Sequence, residues 1–244
     1  MRSKSLVRFL NRAARFDEDL ELISVVGLAV AAGDLNPEAG GPLFSHVDAS
    51  SHPRLAKAKV TDHNRSLVFG HLRKTVYASH VKDLYEDFTD YLGEVVASAA
   101  RQGFAPDVLR GEYKVQLGAA DLLARESWEG VCEGIVAALN QRLDALGTFK
   151  KIEFLDRRLK LDLDATTVEL ALSFLDLRHL LVHCDGVADE GFCSRHSGFD
   201  ARPGRSVHLD EGLARDARAA ITALVEHIDT RAVTVGILSA DDLQ

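Results

Sequence analysis

Cysteine and proline are both scarce in this sequence. Its 244 residues include three cysteines, Cys132, Cys184 and Cys193, and no Cys-x-x-Cys pair. Disulfide-rich secreted domains and zinc knuckles need cysteines in larger, paired sets, so the sequence argues against both classes. Five prolines, with 46% hydrophobic and 27% charged residues, indicate a folded chain without long linkers. We therefore expect a protein of the reducing cytoplasm.

The sequence also lacks a long apolar run and an excess of positive charge. The apolar stretch at residues 22–32 is much shorter than the roughly 20 residues that cross a bilayer. Acidic residues at 17–19 and 21 precede it, which is the wrong order for a secretory signal. We expect no signal peptide and no membrane contact. The net charge of −8 opposes nucleic-acid binding by the surface as a whole, so any RNA contact must come from local basic patches.

Hydrophobic residues recur at helical spacing along most of the chain. The segments predicted to be helical are 3–32, 55–102, 119–146, 166–183 and 210–229, the last of them capped by Asp210. Turn residues predict a loop over 33–53, and segments 148–164 and 184–207 are predicted to be irregular. We therefore predict an all-α antiparallel bundle at 56–232, an N-terminal helical arm and loop at 1–55, and a tail at 233–244.

Two features of the predicted helices have a structural and a functional interpretation. Trp128 is in register with Val131 and Ile135, which favours a buried core anchor over a platform for stacking bases. The first helix carries a basic stripe, which is either a solvated face or a contact to RNA phosphates or an acidic partner. The stripe consists of Lys4, Arg8, Arg12 and Arg15.

The helix at 166–183 places a cation among apolar positions. At about 100° per residue, Arg178 projects close to Phe174, Leu181 and Val182, away from the polar side chains of the same helix. A guanidinium there is unfavourable unless something pairs with it. Functional sites often contain such violations of local patterning, and a buried structural ion pair would produce the same sequence.

The end of this helix carries the residues that point to a function. It ends in Arg178-His179-Leu180-Leu181-Val182-His183, and Gly186, Asp189 and Phe192 follow. This segment resembles the signature of the HEPN domain family, which is an arginine followed by a polar residue, three mostly apolar residues and a histidine. The apolar helix before the motif and the capped helix after it fit the same family. The resemblance covers residues 56–232.

The resemblance implies a fold, a partner and an activity. The implied fold is a HEPN-like bundle of about four helices, and the implied partner is a second copy, so that two motifs line one cleft. In active members of the family the ribose 2′-hydroxyl attacks the adjacent phosphate and leaves a cyclic phosphate, with no metal or other cofactor. The biological setting that the resemblance implies is a toxin paired with an antitoxin, or an antiviral-defence effector with a partner protein. Asp185 stands where one toxin subgroup has a modifiable tyrosine, so neutralisation by tyrosine modification is not expected.

The residue chemistry suits the implied reaction. Imidazole titrates near neutral pH and can move protons, and the planar, always cationic guanidinium matches a phosphate that gains charge. We therefore expect His183 to transfer protons, Arg178 to stabilise the phosphate, and His179 to support them. The expected RNA phosphate contacts are Lys150, Lys151, Arg195, Arg202 and Arg205.

Two alternatives use the same residues. Asp176, His179 and His183 lie at one-turn intervals, as the ligands of a di-histidine metal site would, which suggests a metal-dependent hydrolase. Chelator sensitivity separates that enzyme from a HEPN-type nuclease. The other alternative is a non-catalytic helical dimer that regulates a partner, in which Arg178 and His183 hold the subunits together.

Overall fold

The chain folds almost entirely into helices in the computed structural model, which describes residues 1–33, 47–57, 59, 61–103 and 107–244. The helices are α1 (Lys4–Ala32), α2 (Asp62–Arg101), α3 (Ala119–Leu123), α4 (Trp128–Leu146), α5 (Thr148–Glu153), α6 (Ala165–His183), α7 (Glu190–Arg195) and α8 (Glu211–Thr234). Within the described ranges there is no β-strand, and β-structure is limited to isolated bridges such as Val187 with Ser206. The predicted all-α bundle is therefore confirmed. Among these helices, none combines the length and the apolar character needed to span a bilayer.

Polar side chains fix where the long helices begin. Ser3, Thr61, Ser127, Asp164 and Asp210 precede α1, α2, α4, α6 and α8, and each side chain accepts a hydrogen bond from the backbone N–H three residues later. Such caps satisfy amide groups that have no partner within the helix. The predicted cap at Asp210 is confirmed. The cap at Thr61 explains why α2 begins several residues after the predicted start at 55.

Helix α2 lies at the centre of the bundle. It packs against α1, α4, α6 and α8, and α6 also packs against α8. The core between them is made of fully buried apolar side chains, among them Leu84 and Phe88 of α2, Leu177 of α6, and Ile221 and Leu224 of α8. Burial of such side chains stabilises a fold by roughly 1.5–3 kcal/mol each. The end of α6 that carries the motif is thus attached to the most buried part of the molecule.

The two ends of the chain belong to this core as well. Leu6, Phe9 and Ile23 of α1 are buried in the same hydrophobic cluster as α2, α6 and α8, and Leu238 near the C-terminus joins them. A backbone bridge also pairs Ser3 with Leu243. The predicted boundaries after 55 and 232 therefore separate segments that share one core. Residues 34–46 of the predicted loop lie outside the described residues.

The basic stripe of α1 is largely engaged within the chain. Arg8 pairs with Glu94, and Arg12 lies 2.7 Å from Asp87 and within 3.3 Å of Asp90. Lys4 donates to the backbone oxygen of Asp241 at 2.7 Å. These contacts join α1 to α2 and to the C-terminus, so the larger part of the stripe stabilises the packing of α1 within the chain.

Two predictions about local structure are wrong. The segment 148–164 is not irregular, since α5 and the π-helical turn Phe154–Arg158 occupy most of it and bury Ile152, Phe154 and Leu155. Its many charged residues obscure this apolar series. The expected helix 119–146 is two helices, α3 and α4, because Ser127 caps a new start.

Trp128 is exposed, with 75% of its surface accessible to solvent, so the prediction of a core anchor is also wrong. Burial increases along the apolar series of α4: Ile135 is half-buried, and Leu139 is completely buried. Helix α4 therefore leaves the core towards its N-terminal end. Register with an apolar series shows which side of a helix faces inward, but not how far along the helix a neighbour reaches.

Asp229 is a buried carboxylate that holds the N-terminus to α8. The backbone N–H of Ser3 donates to it at 3.1 Å, the Ser3 hydroxyl also donates to it, and the Tyr91 hydroxyl lies 3.3 Å away. Burial, with the nearby Asp229 charge, raises the pKa of Tyr91 well above its usual value.

We expect Asp229→Ala to lower the free energy of unfolding by about 2 kcal/mol, because it leaves buried donors without an acceptor. Asp229→Asn keeps one acceptor oxygen in place and should cost less. Urea unfolding followed by circular dichroism measures both. Equal stability of the alanine variant and the parent would contradict this assignment.

Candidate active site

The motif stands where α6 ends in a tight turn. Cys184 follows the helix, and Asp185 and Gly186 both adopt left-handed backbone conformations with φ of 51° and 76°. The Gly186 N–H donates to the oxygen of Leu180 at 2.9 Å, which satisfies a carbonyl at the helix end. A Cβ on Gly186 would also lie 3.4 Å from the Leu181 side chain. The turn therefore ends the helix immediately after His183.

His179 and His183 form an exposed pair on the last turn of α6. Their ring centroids are 4.8 Å apart, and the ring planes are inclined by 49°. Both side chains are exposed to solvent. Two imidazoles are thus presented side by side at the end of the helix.

Arg178 turns away from this pair, towards α2. Its guanidinium carbon lies 4.5 Å from the centre of the Tyr85 ring, and its buried Nε atom has no hydrogen-bond partner in the part of the chain that the structure describes. The Tyr85 hydroxyl accepts a hydrogen bond from Thr148, at the start of α5, at 3.2 Å. A cation over an aromatic face is attracted by the ring, which offsets part of the penalty of burial. Among the described residues no carboxylate forms a salt bridge with Arg178, so a structural ion pair has no acidic partner there.

The loop after the motif brings two of the predicted RNA contacts next to it. The N–H of Ala188 donates to the oxygen of Arg205 at 2.9 Å, and the N–H of Val207 donates to the oxygen of Gly186 at 2.9 Å. The segment 202–207 therefore lies against 186–188, which follows His183 directly. Arg202 and Arg205 are both exposed there. These two arginines therefore stand on a segment that adjoins the turn after the motif.

The other three predicted RNA contacts are already engaged. Lys150 pairs with Glu112 at 3.1 Å and with Glu153 at 2.7 Å. The hydrogen bonds to these two carboxylates raise the pKa of the Lys150 amine. The side-chain carbon stem of Lys151 is buried and its amine pairs with Asp144, and Arg195 lies 3.5 Å from Asp176. A phosphate would have to displace these acids, so Arg202 and Arg205 are the better placed of the five.

A cleft of about 760 Å³ adjoins α6 before the motif. Its walls include Phe174 and Phe199, whose rings meet edge to face with centroids 5.3 Å apart. His196 lines it too, with only 11% of its side chain exposed, and bonds the Asp176 carboxylate at 2.9 Å. Sequence analysis missed this pair, because Asp176 and His196 are 20 positions apart in the chain, with the turn and α7 between them.

The engagement of Asp176 bears on the metal-site alternative. Its carboxylate is held by His196 and lies near Arg195, so it is turned to these partners and not to the two histidines of the motif. Within the part of the chain that the structure describes, no group of three His, Cys, Asp or Glu side chains is arranged to hold a metal ion. The Asp176 carboxylate, which was predicted as the third ligand of a di-histidine metal site, therefore binds other side chains.

Tyr85 is the other residue that sequence analysis missed. It lies on α2 beside the apolar series of Leu84 and Phe88, and nothing in the sequence connects it with Arg178.

Comparison of the chain with protein-family models, curated proteins and solved structures finds no match.

Proposed function

We propose that this chain is a metal-independent endoribonuclease whose active site is formed by two copies of the chain. The observation that supports this most directly is the exposed His179–His183 pair, with ring centroids 4.8 Å apart, on the turn that follows Arg178. Two exposed histidines, with a cation on the same helix that forms no salt bridge among the described residues, fit a reaction that moves protons and accumulates charge on phosphorus.

In the proposed reaction the 2′-hydroxyl of one ribose attacks the adjacent phosphorus. His183 takes the hydroxyl proton as the new bond from O2′ to phosphorus forms. The bond from phosphorus to the 5′-oxygen breaks, and an imidazolium returns a proton to that oxygen. The products are a 2′,3′-cyclic phosphate and a free 5′-hydroxyl, so atoms and charge balance without a metal. Arg178 stabilises the charge on the phosphate oxygens, and His179 orients His183.

The dimer is part of the proposal because one chain does not present all the groups on one side. Arg178 faces α2, whereas the two histidines face solvent. Leu170 and Val182 on the same helix are 56% and 41% exposed, and covering apolar surface favours association. A two-fold axis beside α6 would place two copies of each motif along one groove. We further propose that RNA cleavage is part of a toxin or antiviral-defence response and is controlled by a partner protein.

One observation favours a second candidate, a non-catalytic dimeric regulator. Arg178 is half-buried and stacked on Tyr85, which is also what a purely structural arginine would do. In that case Arg178 and His183 stabilise the subunit contact, and their loss weakens the dimer without affecting any cleavage.

Chelation and product analysis test the proposed reaction. The purified protein is incubated with total cellular RNA in the presence and absence of EDTA, and the new RNA ends are identified. We expect cleavage to be undiminished by EDTA and the products to carry cyclic phosphate and 5′-hydroxyl ends. Loss of cleavage on chelation, or 5′-phosphate ends, would refute the proposed chemistry, and an intact dimer without cleavage would favour the regulator.

A further inference from the structure

The single tryptophan of the chain marks an apolar surface that is separate from the motif. Trp128 begins α4 and is 75% exposed, and Leu123 and Leu122 of α3 are 87% and 39% exposed. A groove of about 800 Å³ runs from Trp128 between α4 and the end of α2. Its floor is made of small and apolar side chains, including Ala97, Ala100, Cys132 and Val136. An exposed tryptophan at the edge of a groove with an apolar floor is typical of a protein interaction site.

Negative charge frames this surface. Glu129 and Glu133 line the groove, and Asp121 and Glu126 stand on the segment that leads into it. All four are exposed, and within the described residues none of them forms a salt bridge. The rim therefore carries four carboxylates that are open to solvent and to a ligand.

One of the two nearby arginines is already paired with an acid: Arg101, at the far end of the groove, lies 3.0 Å from Asp242. Arg125 turns back onto α4 and donates to the oxygen of Gly130 at 3.2 Å, so its positive charge offsets part of the negative charge of the rim. The four acids still outnumber this cation, so a ligand that covers the groove can bury apolar surface and add positive charge.

We propose that this groove binds a basic amphipathic helix of a partner protein. One face of the helix packs its apolar side chains against Trp128, Val136 and the alanines of α2. Lysines or arginines at the edges of that face pair with Glu129 and Glu133. This is the helix-in-groove mode of recognition, in which the apolar anchors supply affinity and the charges supply orientation and association rate.

The charge of the rim argues against other occupants. RNA and anionic membranes would bring negative charge against four carboxylates. A second copy that used the same surface would oppose acid to acid across its two-fold axis. The basic stripe of α1 is also a poor complement in another copy, because Arg8 and Arg12 already pair with acids of α2.

The tryptophan provides a direct probe, because its fluorescence comes from one site in the chain. The probe ligand is a synthetic helix of leucine and lysine without tryptophan, with leucines at positions i, i+3, i+4 and i+7. Its control has the same composition with the leucines distributed around the helix. We expect the amphipathic peptide to cause a saturable blue shift of Trp128 emission and the control to bind roughly tenfold more weakly.

Matched variants locate the binding, with a labelled peptide followed by fluorescence anisotropy. Glu129→Lys combined with Glu133→Lys should weaken binding roughly tenfold, and Trp128→Ala roughly thirtyfold. The controls are Glu18→Lys and Leu28→Ser on α1, which change an exposed acid and an apolar side chain that is 70% exposed. They should leave affinity unchanged.

Several results would overturn the proposal. The first is an equal loss of peptide affinity in the groove and control variants. The second is no shift of Trp128 emission with the amphipathic peptide, and the third is a comparable emission shift on adding RNA or anionic vesicles. A shift caused by raising the concentration of the protein alone would assign the surface to self-association. None of these outcomes depends on whether the chain cleaves RNA.

Discussion

RNA cleavage by a His183→Ala variant is expected to be about 10²–10⁴ times slower than cleavage by the parent protein, the usual contribution of a positioned proton carrier. The fold should not change, because His183 is exposed and its main recorded contact is the ring of His179. Initial rates on a labelled RNA, measured in EDTA, give the effect on activity. Circular dichroism and light scattering show whether the helices and the oligomeric state persist.

A matched histidine makes this result specific. His63 is an exposed histidine in the first turn of α2, and His63→Ala should cleave RNA at the parental rate. Equal rates for His183→Ala and His63→Ala, with RNA cut by both, would show that His183 does not carry the proton.

Arg178 distinguishes the nuclease from the regulator. Arg178→Lys keeps a positive charge but loses the planar fork that matches a phosphate. The nuclease proposal expects Arg178→Lys to remain dimeric and to cleave RNA slowly. If Arg178→Lys dissociates into monomers, and neither it nor the parent cleaves any RNA, the result would instead support a structural role at the subunit contact.

The sequence was sufficient for the helices because its local signals agree with one another. Asp210 caps α8 as predicted, and α6 begins and ends within a residue of the predicted range 166–183. In both segments a polar cap precedes an apolar series at helical spacing. Such local consistency is what allows a chain to specify its secondary structure.

What the sequence could not supply are relations between distant segments. The stacking of Arg178 on Tyr85 joins residues of α6 and α2, and the bond between Asp176 and His196 crosses the turn after the motif. Neither follows from spacing along one helix. The exposure of Trp128 has the same origin, since it depends on where the neighbouring helices end and not on the pattern of α4.

His80 is a buried histidine outside the motif, in the core between α1, α2 and α8. Its side chain is fully buried against the Phe16 ring, with centroids 4.2 Å apart, and among the described residues neither nitrogen has a partner of normal hydrogen-bond geometry. The pKa of His80 is lowered from 6.5 to about 4, chiefly by burial and in smaller part by the charge of Arg218 of α8. The Ala214 backbone, Asp83 of α2 and Asp17 of α1 oppose this shift without cancelling it.

The depressed pKa makes the folded state less stable in mild acid. Between pH 6.5 and about 4 the unfolded chain binds a proton at this histidine and the folded chain does not. The free energy of unfolding therefore carries no penalty from His80 above pH 6.5, and the penalty grows as pH falls towards 4. We expect the free energy of unfolding to fall by about 2 kcal/mol from this residue between pH 7.5 and 5.0, and by about 3 kcal/mol in all.

Urea unfolding of the parent, His80→Leu and His71→Leu at pH 7.5 and 5.0 isolates this contribution. His80→Leu should lose about 2 kcal/mol of the pH dependence, because leucine fills the core without titrating. His71→Leu, which removes an exposed histidine from the same helix, should keep the parental dependence. An unchanged pH dependence in His80→Leu would mean that the folded chain accepts the proton at this position. The core between α1, α2 and α8 would then have to open, or reorient Asp17 or Asp83 towards the ring, well above pH 4.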